Sequence, residues 1–189
     1  MSSPLVVVSA GTYHLPFDRL SQWMQTWLTD RSGVRVVMQH GPSIAVAGAE
    51  NVEILPYGEL LDLCRDADAV VLQGGAGGVM DMRALGIVPI VVPRVPGDGE
   101  VVDDHQLVFT AEMSELGLIR RALTSDELGA LLDQALRGDS PVPREIATPG
   151  ARVVRGLLDQ EPVQRLRWHV VIRRMVHSFV AIVASKLRR

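Results

Sequence analysis

Apolar and polar positions along this chain alternate between two periods. Short runs at residues 5–8, 34–38, 52–55, 69–72 and 89–92 read as strands, several of them continuously apolar as in a sheet buried on both faces, each closed by a glycine, a proline or a polar turn. Between them lie helical patterns. Phe17, Leu20, Met24, Trp27 and Leu28 fall on one face of a helix over residues 17–28, with Asp18 in its first turn. Further helices are expected at 59–66, through 80–85, at 103–116 and at 126–136. Asp103 and Ser125 serve as their N-caps, and Gly86 and Gly117 end them. Residues 118–119 add a short strand. Strand and helix alternate throughout, which is the pattern of an α/β protein with an open parallel sheet and helices on both faces. The organisation expected is a domain over 1–137, a Pro/Gly/Ser/Asp-rich linker over 138–150 and a helical tail over 151–189. Neither repeats nor low-complexity tracts interrupt it.

Composition sharpens this picture. Hydrophobic residues make up 47% of the 189, enough for a sizeable core. The run at 5–8 is too short for a signal h-region, and no stretch of about 18 apolar residues predicts a spanning helix. The single cysteine, Cys64, cannot form an internal disulfide and reads as a buried thiol. A cytoplasmic protein is therefore expected. The net charge of -3 hides an asymmetry, because residues 165–189 hold seven Lys/Arg and no Asp/Glu, leaving 12 basic against 22 acidic residues elsewhere. In that tail Trp168, Val171, Ile172, Met175, Phe179, Ile182 and Val183 share one helical face, while Arg167, Arg174, Ser178 and Ser185 lie opposite. Such a helix can pack on its own domain, dock on a partner subunit or lie in an anionic membrane surface. An acidic body with only 4% aromatic residues argues against nucleic-acid binding.

Three loops leave the carboxyl ends of the expected strands, where open parallel sheets bind ligands. They are residues 9–14, the glycine run and residues 94–106. Gly74, Gly75, Ala76, Gly77 and Gly78 stand between a strand and a helix, a place where backbone N–H groups can cradle a diphosphate, though a tight turn would use the same residues. The run matches neither a P-loop nor a Gly-x-Gly-x-x-Gly fingerprint. Asp81, one turn further, suits two ribose hydroxyls, or simply favours the helix N-terminus. Glu100, Asp103, Asp104, His105 and Gln106 can form a metal site, a general base or a hydrogen-bonding shelf for a sugar. Metal is the least favoured, since adjacent residues on a helix diverge and no second ligand cluster is evident.

Several of these segments in order resemble the C-terminal domain of family 28 glycosyltransferases. They are Gly11 and Thr12 with Pro16, Phe17, Asp18, Arg19 and Leu20; then Gln73 to Gly77; Pro89 to Arg94; Gly99 and Glu100; and Asp103 to Gln106. The likeness covers roughly residues 4–120 and is greatest to free-standing members of the family. Those are the catalytic subunit of the split enzyme that adds the second N-acetylglucosamine to dolichol-diphosphate-GlcNAc, and bacterial relatives in exopolysaccharide and capsule assembly. The resemblance implies a Rossmann-like, C-terminal half of a GT-B fold that binds a UDP-sugar without a metal or other cofactor. A membrane-anchored partner subunit supplies the acceptor half and holds the pair at the inner face of the plasma membrane, docked on the C-terminal helix. A polyprenyl-diphosphate-linked acceptor is implied, as is anomeric inversion.

Carried over to this chain, the resemblance gives the diphosphate to Gly11, Thr12 and the run Gly74–Gly78, and the ribose to Asp81, where the family usually has Glu. Leu55, Pro56 and Tyr57 stand near the uracil pocket, with backbone amides pairing the base. Asp104, His105 and Gln106 face the donor sugar, Gln106 by direct contact. Two departures stand out. Gln73 replaces a common histidine before the glycine pair, and Val101 replaces another after Glu100. Helix N-termini would stabilise the charge that builds on the departing diphosphate. Arg94 can add its guanidinium there or pair with a local carboxylate. His14 is the candidate general base within the chain, unless the partner supplies one. The leading expectation is thus a catalytic, donor-binding glycosyltransferase subunit. A non-catalytic nucleotide-sugar-binding regulatory or scaffold subunit is the alternative, and an unrelated nucleotide-binding α/β domain is the third.

Overall fold

The computed structural model describes residues 3–29, 31–97 and 99–141, all within one compact unit, Met1–Arg144. Most of the linker at 138–150, and the whole amphipathic tail at 151–189, lie outside the described residues. Six strands form one sheet: β1 Leu5–Ser9, β2 Arg35–Gln39, β3 Glu50–Val52, β4 Ala69–Gln73, β5 Ile90–Val92 and β6 Arg120–Arg121. Their order is β3-β2-β1-β4-β5-β6, and every neighbouring pair is parallel. Strand order reverses between β1 and β4, so the connections leaving these two strands splay apart and open a crevice at their carboxyl ends.

The helices are α1 Asp18–Leu28, α2 Tyr57–Asp66, α3 Ala76–Ala84, α4 His105–Glu115 and α5 Ser125–Leu136. Side chains alternate across the pleat, which sorts the core into two layers. Val6, Val8, Val36, Met38, Val71, Ile90 and Val92 join one cluster with Phe17, Leu20 and Met24 of the α1 region and Leu128 and Leu132 of α5. The alternate positions Val7, Val37, Val70, Leu72 and Val91 are buried too, because a parallel sheet is covered on both faces. Polar contacts lock α1 to α5. Trp27 Nε1 donates to Asp133 Oδ1 at 3.0 Å, and Arg31 donates to the other carboxylate oxygen at 3.0 Å.

Several element boundaries differ from the expectation. β3 lies at Glu50–Val52, pairing with Val37–Gln39, rather than at 52–55. It is an edge strand with little burial, so its pairing is set by backbone register and not by an apolar run. α3 starts at Ala76, inside the glycine run, and α2 starts directly after Pro56, which fixes the entry backbone at φ -54. α4 starts at His105, not 103. Its N-cap is Asp104, without a side-chain bond, while Asp103 Oδ1 accepts the His105 N–H at 3.2 Å. α5 is capped by Thr124, not Ser125; the threonine hydroxyl accepts from Glu127 N at 3.2 Å. The last strand is Arg120–Arg121, because Leu118 is still bonded back to Met113 O across the Gly117 turn.

Core position and exposure predict separable effects. Leu132 is fully buried in the α1–α5 cluster, whereas Leu123 is 47% exposed. Leu132→Ala should cost about 2–5 kcal/mol in urea unfolding, and Leu123→Ala no more than about 0.5 kcal/mol. Equal effects would contradict the assigned packing.

Candidate functional site

The crevice at the β1–β4 reversal is a cavity of about 320 Å³. Its polar side is made by Ser9, Gly11 and Thr12 after β1, Gln39 at the end of β2, and Gln73, Gly75, Gly77 and Gly78 after β4. Leu60, Leu61, Cys64, Leu72 and Met82 form the apolar side. Asp81 of α3 and Tyr57 of α2 complete the lining.

The local sequence explains the shape. Gly11 sits at φ +80, a left-handed backbone that turns the chain back beneath the cavity. The first bond of α3 runs from Val79 N to Gly75 O at 3.3 Å, so the N–H groups of Ala76, Gly77 and Gly78 precede the helical ladder. No side chain caps them. A Cβ on Gly77 would meet nothing within 4 Å, so its missing side chain leaves open space rather than relieving a clash. Tyr57 Oη donates to Asp81 Oδ1 at 2.9 Å, which ties the first turn of α2 to α3 across the cavity. The carboxylate has further lone pairs with which to accept ligand hydroxyls. Burial pushes the Cys64 thiol up to about 11, so it stands as a neutral apolar wall and not as a nucleophile.

A second polar system lies beside the cavity. Arg94 is wholly buried. Its Nη1 donates to Leu15 O and Pro16 O at 3.0 Å and to Glu100 O at 2.9 Å; its Nη2 donates to Ala10 O at 3.0 Å. Glu100 spends its carboxylate on Arg19, in a two-pronged pair at 2.8 Å, and on Val95 N at 2.9 Å. The Phe17 ring packs within 4.6 Å of the Arg94 guanidinium and 5.2 Å of that of Arg19. Burial lowers the pKa of Arg94, and the nearby Glu100 opposes that shift.

Of the residues expected to form the site, Gly11, Thr12, Gly75, Gly77, Gly78, Asp81 and Tyr57 line one cavity. Others play different parts. Gly74 lies against Gln106, whose Oε1 would be 2.9 Å from an added Cβ. The expectation that Arg94 meets phosphate is corrected, since its Nη atoms are committed to four carbonyls. It does not pair with a carboxylate directly either. The Leu55 N–H is already bonded to Gln39 Oε1 at 3.0 Å, so it is not free to pair a base, and neither Leu55 nor Pro56 lines the cavity. His14 is exposed, with its ring tilted at 54° to that of Tyr13 and 4.5 Å between ring centres. Asp104 is an exposed cap, and the His105 side chain is 86% exposed, paired with Asp103 at 2.8 Å. Gln106 does not line the cavity but reaches Gln73, with its Nε2 donating to Gln73 Oε1 at 2.8 Å.

The sequence reading missed Ser9, Gln39 and the partnership of Arg19 with Glu100. Gln39 carried a signal: it is a polar residue ending an apolar strand, and it is 2% exposed. Its Nε2 donates to Ser9 Oγ at 3.1 Å and its Oε1 accepts from Leu55, stitching three crevice loops together. Among the described residues no group of three or more His, Cys, Asp or Glu could hold a metal ion, and no described helix is long and apolar enough to cross a membrane.

The family model of the glycosyltransferase family 28 C-terminal domain matches residues 6–148. The chain belongs to this family. Two curated relatives are UDP-N-acetylglucosamine--N-acetylmuramyl-(pentapeptide) pyrophosphoryl-undecaprenol N-acetylglucosamine transferases. That of Saccharopolyspora erythraea is 37% identical over 87 residues, 43% of this chain and 23% of the relative. That of Leuconostoc citreum is 29% identical over 92 residues, 48% of this chain and 24% of the relative. The match thus spans about a quarter of these proteins. Among solved structures, the glycosyltransferase of kitacinnamycin superposes with a TM-score of 0.55 at 20% identity, over 71% of this chain and 35% of that one. That likeness shows the fold, and the family 28 domain provides the frame in which the cavity lies.

The Asp103–His105 pair yields a titration test. The Asp103 carboxylate accepts from His105 and holds the imidazole above its ordinary pKa. The pair's small contribution is therefore fully present below the ordinary histidine range and is lost as pH rises through the raised value. An NMR titration should show the His105 midpoint falling in Asp103→Asn; an unchanged midpoint would mean that the pair does not persist in solution.

Proposed function

We propose that this family 28 domain is the donor-binding, catalytic subunit of a split glycosyltransferase. It moves a hexose or N-acetylhexosamine from a UDP-sugar to a polyprenyl-diphosphate-linked acceptor in polysaccharide synthesis. The observation that carries this reading is the convergence, at one cavity, of the Gly11 turn, the uncapped first turn of α3 and the Asp81 carboxylate. The spacing suits a nucleoside diphosphate: N–H donors and a positive helix end for the phosphates, a carboxylate one turn away for ribose hydroxyls, and an apolar wall from α2 for the base. The names of the two curated relatives add UDP-N-acetylglucosamine as a donor and a pyrophosphoryl-undecaprenol acceptor.

On this reading, breaking the anomeric C–O bond pushes negative charge onto the departing diphosphate. The amides of Ala76, Gly77 and Gly78, which precede the helical ladder of α3, would stabilise that charge without reorganising. Thr12, an exposed residue of the first loop that lines the cavity, would add a hydroxyl donor. A membrane-anchored acceptor subunit, docked on the C-terminal tail, would bring the lipid-linked hydroxyl and hold this otherwise cytoplasmic chain at the membrane. His14 or that partner would take the proton. One observation favours the second reading, a subunit that binds a nucleotide sugar without catalysing. Among the described residues lining the cavity, Asp81 is the only carboxylate, none is a histidine, and Asp81 is already engaged by Tyr57.

Calorimetry on the full chain tests the donor site. UDP should bind selectively over ADP and NAD. Asp81→Ala should weaken it about 10-fold or more through loss of hydrogen bonds to a charged acceptor. Gly77→Val should weaken it comparably, because its side chain enters open space instead of displacing the backbone. Equal binding of ADP or NAD would sink the UDP reading. Transfer that proceeds undiminished without this chain, in a preparation of the partner alone, would favour the non-catalytic subunit.

A further inference from the structure

Three carboxamide and amide groups form a chain whose polarity is set at one end. The Arg94 backbone N–H can only donate, and it bonds Gln106 Oε1 at 3.0 Å. Gln106 must therefore turn its Nε2 the other way, where it donates to Gln73 Oε1 at 2.8 Å. Reversing Gln73 would set one NH₂ group against another, two donors with no acceptor between them. Gln73 is thus left with a single satisfactory orientation, in which its Nε2 points away from Gln106.

That nitrogen comes to lie between two cavity-lining glycines. It would be 2.8 Å from a Cβ on Gly11 and 2.4 Å from one on Gly75. Both distances are too short for any side chain, so these two glycines leave the space that the carboxamide occupies. Gly74 does the same one step back, since a Cβ there would stand 2.9 Å from Gln106 Oε1. Among the described residues no acceptor meets Gln73 Nε2, yet Gln73 lines the cavity beside the uncapped first turn of α3.

We propose that Gln106 and the Arg94 backbone N–H act as a relay that fixes the Gln73 carboxamide with its NH₂ facing the cavity, as a side-chain donor to the diphosphate of the bound nucleotide. This rests on the reading above that the cavity takes UDP, and it assigns Gln106 a positioning part in place of a direct contact with the donor sugar. The glycine run then has two duties. Gly74 and Gly75 clear the path of the relay, and Gly77 leaves open space for the ligand.

Gln106→Glu tests the relay from outside the cavity. One carboxylate oxygen still accepts from Arg94 N, but the other now requires a donor, so Gln73 must reverse and present Oε1 to the phosphates. The expected result, by calorimetry on the full chain, is a loss of UDP affinity of about tenfold or more, with uridine affinity changed less than about threefold and thermal unfolding preserved. Gln73→Ala should lose UDP affinity similarly. In the Gln73→Ala background, Gln106→Glu should add almost nothing, because the effect travels through Gln73. If Gln106→Glu does not fold, Gln73→Glu is read in its place; it leaves Gln106 intact, puts an acceptor in the cavity, and carries the same expectation. A loss that persists undiminished in the Gln73→Ala background would be through-space repulsion and would overturn the relay. So would unchanged UDP binding in the single variants. Both of those results leave UDP binding by the unaltered chain intact, whereas failure of that chain to bind UDP would remove the nucleotide reading and the relay together.

Discussion

A single buried cation organises the loops at the carboxyl edge of the sheet. Parallel strands that end together leave carbonyls pointing into loops that cannot pair with one another, and each buried carbonyl left unpaired is costly. Arg94 answers this with one planar fork that reaches Ala10, Leu15 and Pro16 in the first loop and Glu100 in its own. Burying the guanidinium carries a desolvation cost of several kcal/mol if left uncompensated. The four carbonyls, the Phe17 ring and the nearby Glu100 carboxylate compensate most of this, while the buried Arg94 Nε has no hydrogen-bond partner. Glu100 in turn anchors Arg19 at the start of α1, so the first helix, the first loop and the loop after β5 form one clasp.

The clasp acts at a distance from the ligand space but sets its chemistry. With the loop after β5 fixed, the Arg94 N–H has a fixed aim, and Gln106 enters α4 in register to receive it. Gln39 makes an analogous bridge on the other side of the crevice, from Ser9 to Leu55. The cavity therefore lies between two side-chain bridges that cross strand ends. Its backbone donors come from elements with no side chain to reposition, the Gly11 turn and the first turn of α3, and the Gln73 carboxamide beside them is held by Gln106. Such preorganisation is what stabilising a departing diphosphate requires, because donors that must reorient return part of the stabilisation.

Local pattern revealed a good deal of this. The runs at β1, β2, β4 and β5 were legible because strands buried on both faces keep an apolar centre, with polar residues such as Arg35, Ser9, Gln39 and Gln73 only at their ends. Gly77, Gly78 and Asp81 were legible as site candidates because a strand, a glycine run and a helix follow one another directly in the chain. What failed to show depended on partners far away in sequence. Arg94 bonds residues 78, 79 and 84 positions earlier, so nothing near it distinguishes a phosphate ligand from a loop clasp. β3 has too little burial to announce itself and owes its place to pairing with β2. Leu55 looked available to a nucleobase only because the Gln39 amide, 16 residues back, was not known to reach it.

Gln73 shows best how a departure from a family pattern changes meaning once its neighbours are known. Read alone, glutamine in place of histidine removes a group able to gain and lose a proton near neutral pH. Read with Gln106 and Arg94, it supplies an N–H donor whose orientation is fixed and whose protonation does not vary. The substitution therefore suits holding an anion and is unsuited to relaying a proton. On the proposed reading, the proton of the acceptor hydroxyl would leave by a group outside the cavity lining, on the exposed first loop that carries His14 or on the proposed acceptor subunit. Donor binding and proton removal would then sit on opposite sides of the reacting bond. Such a division gives the two halves of a split enzyme a chemical reason to meet before the sugar moves.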